Sequence, residues 1–136
     1  MTVELANPDA VRAATARATS GRRGERNGRR AEWWAALWLR MQGYQIINER
    51  FRCRAGEIDL IAKRDRQLVF VEVKYRRDKA AVDYALCTKQ MRRITRAAEW
   101  FLNYRSDLRV CDIRFDVMLL RPWRLPEHLT NAWQKF

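Results

Sequence analysis

The run Gly56-Glu57-Ile58-Asp59-Leu60-Ile61-Ala62-Lys63-Arg64-Asp65-Arg66-Gln67-Leu68-Val69-Phe70-Val71-Glu72-Val73-Lys74 decides the fold. It holds two stretches rich in β-forming residues, Glu57 to Lys63 and Leu68 to Tyr75, parted by the polar pair Asp65-Arg66. Such a pattern predicts a hairpin with a tight turn at that pair. The second stretch is apolar on both of its faces until Glu72 and Lys74, so it is expected at the centre of a sheet covered on both sides.

Acidic residues interrupt these apolar strands. Side chains two apart in a strand share a face, which puts Glu72 with Lys74 and Glu57 with Asp59. A turn at Asp65-Arg66 then sets Asp59 opposite Glu72 and Glu57 opposite Lys74, and a slip of one residue would turn the acids to opposite faces. Two facing carboxylates repel and are costly to desolvate, and a bound cation resolves the conflict. Oxygen ligands without histidine or thiolate suit Mg²⁺ or Mn²⁺ better than zinc. Lys74 beside the ion would orient or deprotonate a water, or offset charge on a phosphate. On spacing alone, a satisfied salt-bridge cluster of Asp59, Glu72 and Lys74 at a sheet end reads equally well.

Outward from the hairpin, Tyr44 to Arg52 reads as a preceding strand and Ile113 to Leu120 as a last one. From about Asn27 to Met41, Ala31, Trp34, Ala35, Trp38 and Met41 recur at helical spacing, with Gly43 placed for a C-cap. The two tryptophans are expected to anchor the core. A second helix runs from about Thr88 to Tyr104 on the apolar stripe Met91, Ile94, Ala98 and Phe101, while Lys89, Arg92, Arg93 and Arg96 line another face. The order α-β-β-β-α-β predicts an α/β fold, a mixed central sheet with a helix on each face. Residues 1–25 read as a flexible basic arm and 26–136 as a single domain, with a Pro- and Trp-containing tail after the last strand.

The composition narrows the chemistry. Lysine and arginine number 28 against 16 acids, a net charge of +12 that favours a polyanionic partner such as nucleic acid or an anionic membrane, between which charge alone does not choose. Arginine predominates, and its planar fork suits phosphate. No stretch approaches the roughly 18 apolar residues of a membrane span, and no secretory signal is evident, so a cytoplasmic location without membrane contact is expected. Cys53, Cys87 and Cys111 are too widely spaced for a zinc knuckle and are expected to be reduced. With His128 the only histidine, zinc sites and His-based triads are nearly excluded, leaving carboxylates, lysine and a hard metal.

Asp59 followed by Glu72-Val73-Lys74 resembles the bipartite signature of the PD-(D/E)XK nucleases. The longer string Cys53-Arg54-Ala55-Gly56-Glu57-Ile58-Asp59-Leu60-Ile61-Ala62 and Val69-Phe70-Val71-Glu72-Val73-Lys74 resembles the YraN family, which is similar in pattern to archaeal Holliday junction resolvases. The likeness continues through Gly28-Arg29-Arg30-Ala31-Glu32, Lys89-Gln90-Met91-Arg92-Arg93 and Arg114-Phe115-Asp116-Val117. It implies a restriction-endonuclease-like core, with Asp59 and Glu72 as metal ligands and Lys74 beside them. Glu32 would match the helix-one glutamate that resolvases add to the site, the alternative being an ion pair with Arg29 or Arg40. Gln90 would match a polar helix-two position near such sites, the alternative being surface polarity. The family's proline is absent, since Ile58 precedes Asp59. The implied activity is Mg²⁺-dependent (or Mn²⁺-dependent) endonucleolytic hydrolysis of DNA, on branched substrates and by a homodimer. Arg29, Arg30, Lys89, Arg92, Arg93 and Arg96 would hold the nucleic acid. A non-catalytic nucleic-acid-binding or repair-scaffold protein is the alternative.

Overall fold

The computed structural model of the chain describes residues 22–77 and 88–134, with side chains from residue 28 onward. The expected arm up to residue 21, and Cys87, lie outside them. Helix α1 spans Arg22–Met41, so it begins earlier than Asn27. Gly43 ends it in the left-handed conformation (φ 88°), where the Gly43 and Tyr44 N–H groups bond back to the Arg40 and Leu39 carbonyls at 3.0 Å.

Three antiparallel strands follow, β1 (Gln45–Cys53), β2 (Gly56–Arg64) and β3 (Gln67–Tyr75). The β2–β3 register is the expected one, with Leu60 facing Val71 and Arg64 facing Gln67 around the Asp65-Arg66 turn. Helix α2 covers Thr88–Tyr104 and buries Met91, Ile94, Ala98 and Phe101, as the apolar stripe predicts. A 3-10 turn at Ser106–Val110 leads to β4 (Asp112–Leu120), which lies parallel to β3, so α2 lies on the crossover between them. The chain then adds β5 (Glu127–Trp133) antiparallel to β4, within what the sequence reads as a tail. The result is a mixed five-stranded sheet in the order β1-β2-β3-β4-β5.

One helix covers each face. Against α2 pack Ile58, Ile61, Leu68, Phe70, Phe115 and Val117, with Trp133 of β5 stacked on Phe115 at 5.1 Å. Each fully buried side chain of this size contributes about 1.5 to 3 kcal/mol. The other face meets α1 through Ala31, Ala35, Ala36 and Leu39. The helix therefore turns its small residues to the sheet, a close approach that leaves no room for an indole. Trp34 and Met41, expected in the core, are exposed, and Trp38 is only partly buried.

Candidate functional site

Where β2 and β3 part, the acids gather. The backbone ladder runs as far as Leu60 and Val71, and at the next step the Asp59 carboxylate takes the place of a strand partner, Oδ2 accepting the Val73 N–H at 2.7 Å. Across β2, Arg50 stands between the pairs Phe51–Ile58 and Glu49–Leu60 in the left-handed conformation (φ 53°), which distorts β1 there. The distortion switches the faces of β2, since Ile58 packs towards α2 and Leu60 towards α1. Glu57 and Asp59 consequently do not form the expected same-face pair, and Glu57 bonds Arg52 rather than Lys74.

The other candidates converge. Glu72 Oε1 accepts from the Gln90 amide at 3.1 Å and meets Lys74 Nζ at 3.3 Å, with both Glu72 and Lys74 mostly buried. Arg76 adds a half-buried guanidinium, lowered in pKa by burial against the opposing pull of Glu72. Glu32 of α1 is close enough for its charge to act on Asp59, but it accepts a 2.6 Å hydrogen bond from Arg50 Nε. Arg50, not Arg29 or Arg40, is thus its partner, and Arg40 pairs with Glu49 instead. Glu32, Asp59, Glu72, Lys74 and Gln90 form one neighbourhood spanning α1, β2, β3 and α2.

Its charges are not balanced. Burial, then the charge of Glu72, hold the Asp59 carboxyl well above the usual carboxylate range, the Val73 N–H opposing them. Two oxygen donors kept together at this cost fit a hard divalent cation, which commonly takes one or two protein carboxylates and leaves its other positions to water or phosphate. Among the described residues no group of three or more metal-binding side chains is assembled.

A second acidic centre lies in β4. Asp116, fully buried, receives Arg114 Nε and Nη2 at 2.8 Å each, His128 Nε2 at 2.6 Å and the Asn131 N–H at 2.9 Å. Arg114 also donates to the Tyr44 hydroxyl at 2.8 Å, and Arg64 sits over the Tyr44 ring at 4.3 Å. Burial pushes the Asp116 carboxyl up, but the His128, Arg114 and Asn131 hydrogen bonds outweigh it and hold the group below its ordinary value. Sequence reasoning assigned no role to Arg50, Asp116 or His128. The signals present were an acid inside a buried strand and a lone histidine in a tail.

The basic candidates lie outside both centres. Arg29 and Arg30 are exposed on α1, and Lys89, Arg92, Arg93 and Arg96 on α2, whose first turns also supply Gln90. Cys53 and Cys111 are free thiols. Among the described residues no helix is long and apolar enough to cross a membrane.

An α/β chain with this mixed five-stranded sheet, helices on both faces and an acid-acid-lysine cluster at the end of its central strands has a restriction-endonuclease-like core. More narrowly, it belongs to the uncharacterised protein family UPF0102, whose model matches residues 31–120. A UPF0102 protein of Rhizorhabdus wittichii is 50% identical over 109 residues, which is 80% of this chain and 92% of that protein. The Sphingopyxis alaskensis UPF0102 protein is 48% identical over 110 residues, 81% of this chain and 94% of its own length. That of Erythrobacter litoralis is 45% identical over 111 residues, covering 81% and 94%.

Proposed function

We propose that the chain is a Mg²⁺-dependent endonuclease that hydrolyses DNA phosphodiesters, with branched DNA as its substrate. The observation that carries the reading is the partly buried pair of Asp59 and Glu72, held together against their mutual repulsion with Lys74 at 3.3 Å from Glu72. A structural sheet gains nothing from that conflict, whereas a site that must accept a cation requires it.

Asp59 and Glu72 would hold the ion. When bound, it lowers the pKa of a water and offsets charge on the phosphate. Val73, through its N–H, fixes the Asp59 carboxylate. Gln90 and Lys74 both contact Glu72 Oε1 and so set its orientation, and Lys74 would donate to a phosphate oxygen as charge develops on it. Arg29, Arg30, Lys89, Arg92, Arg93 and Arg96 would bind phosphates along the approach to this end of the sheet.

One observation favours a second reading, a nucleic-acid-binding protein without turnover. Glu32, the third carboxylate of the neighbourhood, is tied to Arg50. Incubation of the purified protein with linear, flapped, four-way and single-stranded DNA in Mg²⁺ or Mn²⁺ separates the two. Cleavage that Asp59→Asn abolishes is expected. Binding without cleavage of any substrate would leave the second reading.

A further inference from the structure

On the α1 side of the sheet, a groove of about 780 Å³ opens between α1, the end of β3 and the segment joining β4 to β5. Its volume is in the range of pockets that enclose small ligands. Trp34 and Trp38 of α1, Tyr75 of β3 and Trp123 of the connecting segment supply aromatic lining. Trp34 is 54% exposed and Trp123 is entirely so, its backbone held left-handed at φ 61°. Apolar surface of this kind on a strongly charged chain marks a contact site. Arg30, Arg121 and Arg124 join the lining, Arg121 paired with Glu127 at 3.4 Å, and no carboxylate lines the groove itself.

That charge distribution selects the occupant. A symmetric pairing of two copies would bring like-charged rims together, whereas an anionic chain bearing flat apolar groups matches both the arginines and the rings.

We propose that this groove takes the unpaired bases of a single-stranded stretch of nucleic acid, stacked on Trp34 and Trp123, with their phosphates on Arg30 and Arg124. The proposal rests on the nucleic-acid reading above and adds the substrate feature that reading lacks, a strand displaced from the duplex. Stacking on an aromatic platform is tolerant of base identity, so the groove should recognise single-strandedness rather than sequence.

The test is fluorescence anisotropy, in chelator, with an oligothymidylate of about 15 nucleotides and a blunt duplex of the same length. Because both positions are exposed, the double variant Trp34→Ala with Trp123→Ala should fold. It is expected to lose roughly tenfold or more in affinity for the single strand with unchanged affinity for the duplex. The variant Trp34→Phe with Trp123→Phe should restore binding, since phenylalanine keeps a stacking face. Equal losses on both probes, or none on either, would overturn the groove while leaving nucleic-acid binding intact. A dimer by sedimentation that the alanine variant dissociates, with single-strand affinity unchanged, would assign the surface to a second copy. Parent protein that binds neither probe would remove the nucleic-acid reading and this proposal together.

Discussion

Asp59 and Asp116 occupy matching places in the sheet and have opposite electrostatics. Each lies on a strand flanking β3, each sits beside a left-handed residue of an edge strand (Arg50 and Asn131, both at φ 53°), and each accepts a backbone N–H, at 2.7 and 2.9 Å. Around Asp116 stand Arg114 and His128, and its carboxyl is drawn below the usual value. Asp59 meets Glu72 and the charge of Glu32 instead, and its carboxyl is pushed far above. One backbone device thus serves a strut in one place and an unneutralised site in the other. Asp59, the acid that the proposed function uses, is the one whose neighbours fail to satisfy it.

The largest effect should follow from breaking the satisfied centre. Asp116→Asn leaves Arg114 and His128 without their anion and should cost on the order of 3 to 5 kcal/mol in chemical denaturation. A loss below about 1 kcal/mol would end the distinction between the two centres, because surface substitutions already reach about half that.

Lys74→Met should act on chemistry instead. Single-turnover cleavage is expected to fall roughly a hundredfold or more, with the melting temperature close to the parent's. Lost stability with normal cleavage per folded molecule would make Lys74 a strut as well.

Asp59→Asn sharpens the contrast through its sign. A carboxyl raised in the folded state stabilises below its ordinary value of 3.8, and that contribution is lost as pH rises through the higher folded value. Asp116, lowered in the folded state, contributes above 3.8 and loses its contribution as pH falls through the lower folded value. In chelator at neutral pH, Asp59→Asn should therefore gain about 0.5 to 2 kcal/mol and flatten the melting curve above pH 3.8. Mn²⁺ should stabilise the parent and not the variant. A destabilised Asp59→Asn protein would show that the acid is a structural partner after all.

The smallest change is expected at the basic face of α2. Replacing Arg92, Arg93 and Arg96 with glutamine should lower the salt dependence of DNA binding by up to about 0.9 per lost contact, with stability unaltered. An unaltered slope would place the phosphate contacts elsewhere.

The fold was legible where periodicity is strict. Thr88–Tyr104 has an uninterrupted apolar stripe, and the β2–β3 turn pairs strands whose apolar residues leave one register. Legibility ended where backbone departs from the ideal. Nothing in the residue type of Arg50 announces a left-handed conformation, so the face switch at Asp59 and the anchoring of Glu32 by Arg50 were hidden among 28 basic residues. Strand β5 escaped because Glu127–Trp133 is short, mostly polar and interrupted at Asn131. On α1 the bulky aromatics misled, since the tight approach to the sheet selects Ala31, Ala35 and Ala36.

The tail has a practical meaning for anyone shortening the gene. The family match ends at residue 120, yet His128 and the Asn131 N–H, two of the donors to Asp116, come from beyond it, as does Trp133, whose indole reaches Thr95 at 3.2 Å. A fragment trimmed to the matched region would keep every acid of the candidate site and lose the clasp that closes the sheet. Its inactivity would then report a failure to fold and say nothing about catalysis.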